Sequence, residues 1–246
     1  MEHAKLSPSS AHRWLTCTPS AKLEQAFPNE SSEYALEGVL AHSFGEMKLR
    51  AFFKGERVNF DPLRESKLYT PEIDTCSDLY VDYVKTIFNR YPEPPSVLFE
   101  QRYDLREVVP EGFGTADCTI ICGGDLHVVD YKHGKGVFVS AEDNPQLRLY
   151  ALGAYHAFRD LYDITRVFIH IVQPRLDNFS EEVLSTEELL GWAEYAKLQA
   201  VKASKGEGSF EVGEHCRFCR ARATCRARAD FYSALADFGE RKPPLL

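Results

Sequence analysis

The sequence predicts an α/β fold: a mixed central sheet flanked by helices, in a single domain over residues 1–246 with a terminal appendage. Three observations predict it. Residues 73–91 carry apolar side chains at steps of three and four. Residues 97–131 hold three short strand-like runs, the last two joined by a glycine turn. Residues 167–172 (VFIHIV) form a continuous apolar run with the character of a buried strand.

The elements follow in order. Ser7-Pro8-Ser9-Ser10 opens a short helix, because Ser7 can cap it and a proline fits a first turn that needs no backbone donor. Trp14 and Leu15 are its apolar face, and Cys17-Thr18-Pro19 is its end. A second helix is predicted over 32–53, with Val39, Leu40, Phe44, Met47 and Ala51 on one stripe, and the polar residues 54–70 read as a loop. Ile73, Cys76, Tyr80, Tyr83, Val84, Ile87, Phe88 and Tyr91 define the next helix, which Tyr91-Pro92-Glu93-Pro94-Pro95 ends. Strands are predicted over 97–105, 114–121 and 126–131, with Cys122-Gly123-Gly124-Asp125 as a hairpin turn. Asn144-Pro145 starts a helix running to about 161, by cap and first-turn proline, and a last helix over 186–203 is capped by Thr186 with Glu187 and Glu188 in its first turn.

Composition narrows the function. The chain has 29 Lys and Arg against 37 Asp and Glu, a net charge of −8, so it does not coat nucleic acid by overall charge, although local basic patches remain open to it. No uncharged apolar run approaches the roughly 18 residues that span a bilayer, and the N-terminal residues lack a signal peptide's apolar segment. A soluble, cytoplasmic protein with no membrane partner is therefore expected. Seven cysteines without an export signal argue against a disulfide framework. Cys76, Cys118 and Cys122 sit in apolar patterns as small core residues, whereas Cys17, Cys216, Cys219 and Cys225 do not.

The chemistry concentrates in Gly114-Thr115-Ala116-Asp117 and Val128-Val129-Asp130-Tyr131-Lys132. Asp130 and Lys132 are two apart, so on a strand they share one face while Val129 and Tyr131 take the other. Hairpin pairing brings Asp117 beside Asp130. Two carboxylates and one ammonium on one sheet face are costly to desolvate without a counter-charge, and a divalent cation held by oxygen ligands resolves that cost. D-x-K alone also describes an ordinary surface ion pair. Its neighbours give it weight: Gln146 and Tyr150 lie four apart on the next helix, His42 lies on an earlier one, and Glu100 lies on the preceding strand as an auxiliary acidic residue.

At the other end, Cys216-x-x-Cys219-x5-Cys225 is too dense for core packing. C-x-x-C is a common zinc spacing, and a fourth ligand is needed: His215, His133 or Cys17. Arg217, Arg220, Arg222, Arg226 and Arg228 surround these cysteines as either a phosphate-contacting patch or a solvated helix face, with Phe218 free to stack on a base. Lys132, His133 and Lys135, interleaved with Gly134 and Gly136, make a second cationic segment.

The order Gly38 and His42, Gly114 and Asp117, Asp130 and Lys132, then Gln146 and Tyr150 resembles the RecB-like branch of the PD-(D/E)XK nucleases, over roughly residues 32–155. It departs from many relatives in carrying Asp rather than Glu at position 130. The resemblance implies a restriction-endonuclease-like core over about 32–203. It also implies metal-dependent hydrolysis of phosphodiesters, with Mg²⁺ or Mn²⁺ bound by His42, Asp117, Asp130 and the main-chain carbonyl of Tyr131. Lys132 would act on the attacking water, and Gln146 and Tyr150 would order the site. A serine-led helix ending in Cys17, paired with the distant cysteine triplet, resembles the iron–sulfur staple of AddB-type nucleases. That likeness implies a [4Fe-4S] cluster on Cys17, Cys216, Cys219 and Cys225 joining residues 7–20 to 211–230, with Zn²⁺ as the alternative metal. The phrases D-Y-K-x-G-K-G and N-P-Q-L-x-L-Y-A-L-G-A are closest to small stand-alone proteins of phage and prophage type. They imply an exonuclease acting on linear or single-stranded DNA in recombination or repair, in the host cytoplasm. No G-x-x-x-x-G-K-[ST] motif is present, so unwinding would come from a helicase partner. The rival expectations are a non-catalytic nucleic-acid-binding or scaffold protein on the same fold, and a zinc protein whose acidic residues are surface charges.

Overall fold

A computed structural model describes residues 4–29 and 32–239; the outermost residues of the expected domain, 1–3 and 240–246, lie outside the described residues. A 3-10 turn at Pro8–Ser10 leads into α1 (Ala11–Thr16) and α2 (Ser20–Leu23), followed by α3 (Glu33–Lys54), α4 (Asp61–Arg64) and α5 (Pro71–Phe88). The meander β1 (Ser96–Asp104), β2 (Phe113–Cys122) and β3 (Asp125–Tyr131) comes next, then α6 (Pro145–Phe158), β4 (Arg166–Gln173), β5 (Asn178–Ser185), α7 (Thr186–Lys205) and α8 (Arg226–Gly239). The five strands form one mixed sheet in the order β1-β2-β3-β4-β5, antiparallel except for β3 with β4. That parallel pair is bridged by α6, as a parallel connection requires.

Two apolar layers cover the sheet. On one face α3 and α5 bury Phe44, Leu49, Ile73 and Ile87 against Val97, Ile120 and Val129. On the other, α6, α7 and the N-terminal helices bury Trp14, Leu147, Leu149 and Leu189 against Leu126, Val128 and Ile169. Among the described residues no helix is long and apolar enough to cross a membrane.

Several expectations are revised. β5, NFSEEVLS, went unseen in the sequence because it is an edge strand: among the described residues it pairs only with β4, and its two adjacent glutamates hide the alternation. A helical turn, α4, sits in the expected loop. The buried stripe of α3 is Ala41, Phe44, Gly45 and Leu49, while Val39 is exposed. Its first turns carry Tyr34 and Leu36 outward as well. The cap of α7 is Ser185, in a reciprocal capping box with Glu188; Thr186 is already helical, and its hydroxyl donates to the Ile164 carbonyl at 2.8 Å. Cys122 ends its strand half-buried rather than in the core.

One feature of the sheet positions the site. On β1, Val97 and Phe99 pack on the α3/α5 face, yet Tyr103 and Leu105, of the same parity, pack on the opposite face. On β2 the same reversal separates Ala116 from Cys118 and Ile120. Both reversals fall at one register step, where Phe99 faces Cys118 and Gln101 faces Ala116, which leaves Glu100 opposite Asp117. Glu100 has φ +46°, in the left-handed region that a non-glycine residue occupies only under constraint.

A polar chain crosses the far part of the sheet. Tyr91 OH meets Asp125 and His127, His127 Nδ1 meets His170 Nε2 at 3.0 Å, and His170 Nδ1 meets Tyr83 OH at 3.1 Å. Glu181 on β5, Arg90 at the end of α5, and Arg166 and Phe168 on β4 complete the surroundings. The imidazole pair needs one proton between the facing nitrogens, so protonating both rings sets two N–H groups head to head. Burial, with Arg90 adding to it, pushes His127 down to about 4; burial also holds His170 well below its ordinary value. Between pH 6.5 and 4 the unfolded chain therefore binds the proton that the folded chain refuses. This stabilisation is complete above pH 6.5 and is lost as pH falls toward 4. From His127 alone, urea denaturation is expected to show a loss of about 2 kcal/mol between pH 7 and 5. His127→Gln isolates that contribution: the stability of wild type relative to the variant should fall by about this amount from pH 7 to 5, and a difference independent of pH would contradict the assignment.

Candidate functional site

The reversal point gathers the acidic residues. Asp117 on β2 lies beside the end of β3, and its Oδ2 accepts from the Tyr131 backbone N–H at 2.8 Å. His42 reaches in from α3, with Nδ1 3.3 Å from Asp117 Oδ1. Ligand atoms of His42, Glu100 and Asp117 all lie within 4.8 Å of one another. Glu100, which the sequence offered only as an auxiliary residue, thus stands in the cluster, brought there by its left-handed backbone. Asp130 borders the trio from the next strand. Its Oδ2 lies 2.7 Å from Lys132 Nζ, and its Oδ1 accepts from Gln146 Nε2 at 3.2 Å. Gln146 Oε1 accepts from Lys132 Nζ at 3.1 Å, and Gln146 Nε2 also lies 3.2 Å from Tyr150 OH. The expected Asp130, Lys132, Gln146 and Tyr150 therefore form one connected chain.

Local sequence explains this convergence. Asn144 caps α6 by accepting from the Gln146 and Leu147 backbone N–H groups, and Pro145 fixes the first turn, so Gln146 is set within that turn, at the end of the helix that meets β3. A side chain at Gly114 would place Cβ 2.6 Å from Tyr150 Cε1 and 2.7 Å from Pro8 Cγ, so this glycine admits Tyr150 and the N-terminal turn to the edge of the site. Gly45 likewise lets α3 approach Tyr80, whose ring stacks on Tyr131 at 4.9 Å. Gly38, by contrast, faces open space.

The charges are strongly perturbed. Burial disfavours the His42 cation, but the Asp117 carboxylate outweighs it and raises His42 to about 9. Burial opposes ionisation of Asp117, yet the His42 charge holds that carboxyl below the usual range. Burial and then the Asp117 charge push Glu100 up to about 7. Burial raises Asp130 in spite of Lys132. Asp130 Oδ2 is buried with no donor aligned on it as a hydrogen bond. Two carboxylates and an imidazole, with the Asp130 carboxylate beside them, are a donor set that a divalent cation takes.

A cavity of about 730 Å³ opens beside this cluster, lined by His42 and Lys132 and reaching Tyr34, Lys135, Arg217 and Phe218. No sequence pattern pointed to Tyr34, nor to Arg175, which pairs with Glu37 at 3.1 Å on the same wall.

Cys17, Cys216, Cys219 and Cys225 all line one small enclosed space between the two ends of the chain. Cys216 lies near enough to raise the thiol pKa values of Cys17 and Cys219, after the larger effect of burial. Among the expected fourth ligands His133 is elsewhere, meeting Tyr131 OH at 3.0 Å and Glu37 at 3.4 Å in the core. His215 lines the thiol space, and its Nε2 meets the Glu211 carbonyl at 3.0 Å. Buried Glu24 fastens the ends directly, accepting from Arg13 Nε at 2.8 Å and from the Arg220 backbone N–H at 2.7 Å. The five arginines do not act as one patch. Arg226 pairs with Asp230, Arg222 and Arg228 donate to backbone carbonyls, Arg220 turns to Glu24 and the Phe27 carbonyl, and Arg217 faces the large cavity.

Comparison with known proteins adds two findings. A solved structure titled "Crystal structure of SSO0001" is similar to this chain at 13% identity and a TM-score of 0.36, covering 89% of this chain and 95% of that one. A family profile described as a protein of unknown function, DUF2800, matches residues 3–246. By that match over nearly its whole length, the chain belongs to the DUF2800 family.

Proposed function

We propose that the protein is a metal-dependent deoxyribonuclease with a RecB-like, restriction-endonuclease-like core, acting on linear or single-stranded DNA. One observation carries the reading: the His42, Glu100 and Asp117 donors converge within 4.8 Å, next to an Asp130–Lys132–Gln146 chain. A Mg²⁺ or Mn²⁺ ion held there would polarise a phosphoryl oxygen and make a nucleophile available from water near neutral pH. Asp130 would complete the ligand set, with the Tyr131 carbonyl as a further donor. Lys132, oriented by Asp130 and Gln146, holds the attacking water and faces the charge that develops on the phosphate. Tyr150 fixes the Gln146 amide and thereby Lys132.

The four cysteines form a separate, structural centre in this reading. The four thiols that line one space, in positions that resemble the iron–sulfur staple, support a [4Fe-4S] cluster there, with Zn²⁺ as the alternative.

The test is degradation of end-labelled linear DNA, single- and double-stranded, by anaerobically purified protein. Cleavage with Mg²⁺ or Mn²⁺ that EDTA abolishes is expected. DNA binding without cleavage under every metal condition would favour a non-catalytic binding protein instead.

A further inference from the structure

The cavity beside the acidic cluster does not end at its rim. Phe218, 59% exposed, lines it and also lines a second cavity of about 500 Å³. The first holds Lys132, Lys135 and Arg217; the second is walled by Ser7, Ser9 and Ser10, with Arg220 beyond. Tyr34, 85% exposed in the first turn of α3, lines the first cavity as well. Two bare aromatic rings on an acidic protein's surface, both facing the cavity that holds the catalytic lysine, have no packing role in the fold.

Charge and shape select the occupant. Lys135 and Arg217 are in no ion pair among the described residues, and Arg217 lies over the Phe218 ring at 5.5 Å, so a cation and a flat apolar face are presented together. Glu24, the buried acid of the second cavity, is neutralised between Arg13 and Arg220. Cations and exposed rings in one cavity match a chain of phosphates and bases whose faces are open, as in an unpaired strand. A duplex keeps its base faces stacked inside and offers these rings nothing.

We infer that the two cavities form one track for a single unpaired nucleic-acid strand, with Tyr34 and Phe218 as stacking platforms, Lys135 and Arg217 as phosphate contacts, and the serine-walled cavity as the onward path past Phe218. The inference rests on the nuclease reading for the role of the strand, but the binding it describes is measurable without cleavage. The cysteine segment thereby gains a second role, because it supplies Arg217 and Phe218 to the substrate track.

The experiment measures fluorescence anisotropy of a labelled twelve-nucleotide oligothymidylate in EDTA, against a blunt duplex of equal length. Wild-type protein is expected to bind the single strand at least about tenfold more tightly. Tyr34→Ala and Phe218→Ala should each weaken it about tenfold or more, with Phe218→Trp retaining affinity. Melting temperatures establish that the variants are folded, and exposed Tyr34 guards against a loss that reflects only disturbance near the cysteines. Equal affinity for the duplex, or Tyr34→Ala and Phe218→Ala variants that bind like wild type, would overturn the track. Hydrolysis of bis(p-nitrophenyl) phosphate with Mn²⁺ by wild-type protein is read in parallel. Strand binding of the expected pattern without that hydrolysis supports the track and removes the nuclease reading.

Discussion

Lys132→Ala is expected to lower the metal-dependent cleavage rate about 10³-fold while leaving metal affinity nearly unchanged. Lys132 is the group in the cluster with a positive charge and no ligand role. It lies 2.7 Å from Asp130 and donates to Gln146 at 3.1 Å, so its ammonium is aimed rather than free. Removing a preorganised donor that faces developing charge typically costs two to three orders of magnitude in rate. Lys132→Arg should not restore it, because a planar fork cannot replace a compact ammonium seated between a carboxylate and an amide. Single-turnover rates at saturating Mn²⁺ measure the effect, with a melting curve to show that Asp130, now unpaired, has not unfolded the protein. A rate within tenfold of wild type would place the chemistry on another group.

The second large effect concerns the chain ends. Cys17→Ser is expected to remove the iron and acid-labile sulfide and to loosen residues 7–27 and 205–230 together. A metal clip between positions so distant closes a long loop, and losing it should cost about 5 kcal/mol by the arithmetic of cross-links. The ends should not separate fully, because Glu24 still joins Arg13 to Arg220 and Trp14 remains buried in the main core. Metal analysis and guanidinium denaturation of the variant check this. A full iron complement without Cys17 would show that the fourth ligand lies elsewhere, with His215 the first residue to substitute.

Much of this site was legible in the sequence, and the reasons are local. Asp130 and Lys132 share a face because a strand has period two, and Gln146 and Tyr150 align because a helix repeats near four. The Asn144-Pro145 cap announced the helix that delivers them. Glu100 was legible only as an acidic residue on a strand. Its place in the cluster depends on a left-handed backbone that reverses the faces of β1 and β2, and no apolar pattern encodes such a reversal when the same residue types continue on both sides of it. β5 was hidden for the opposite reason, since an edge strand needs little apolar sequence to pair. The division of labour among the arginines was also unreadable, because it depends on which carboxylates and carbonyls the folded ends present.

A divalent ion among His42, Glu100 and Asp117 is the centre of the proposed chemistry, and Mn²⁺ binding followed by electron paramagnetic resonance tests it most directly. Wild-type protein is predicted to take up Mn²⁺ at a site that Asp117→Asn abolishes, that Glu100→Gln weakens at least about tenfold, and that Lys132→Ala leaves in place. Mn²⁺ binding that survives both carboxylate substitutions unchanged would contradict it.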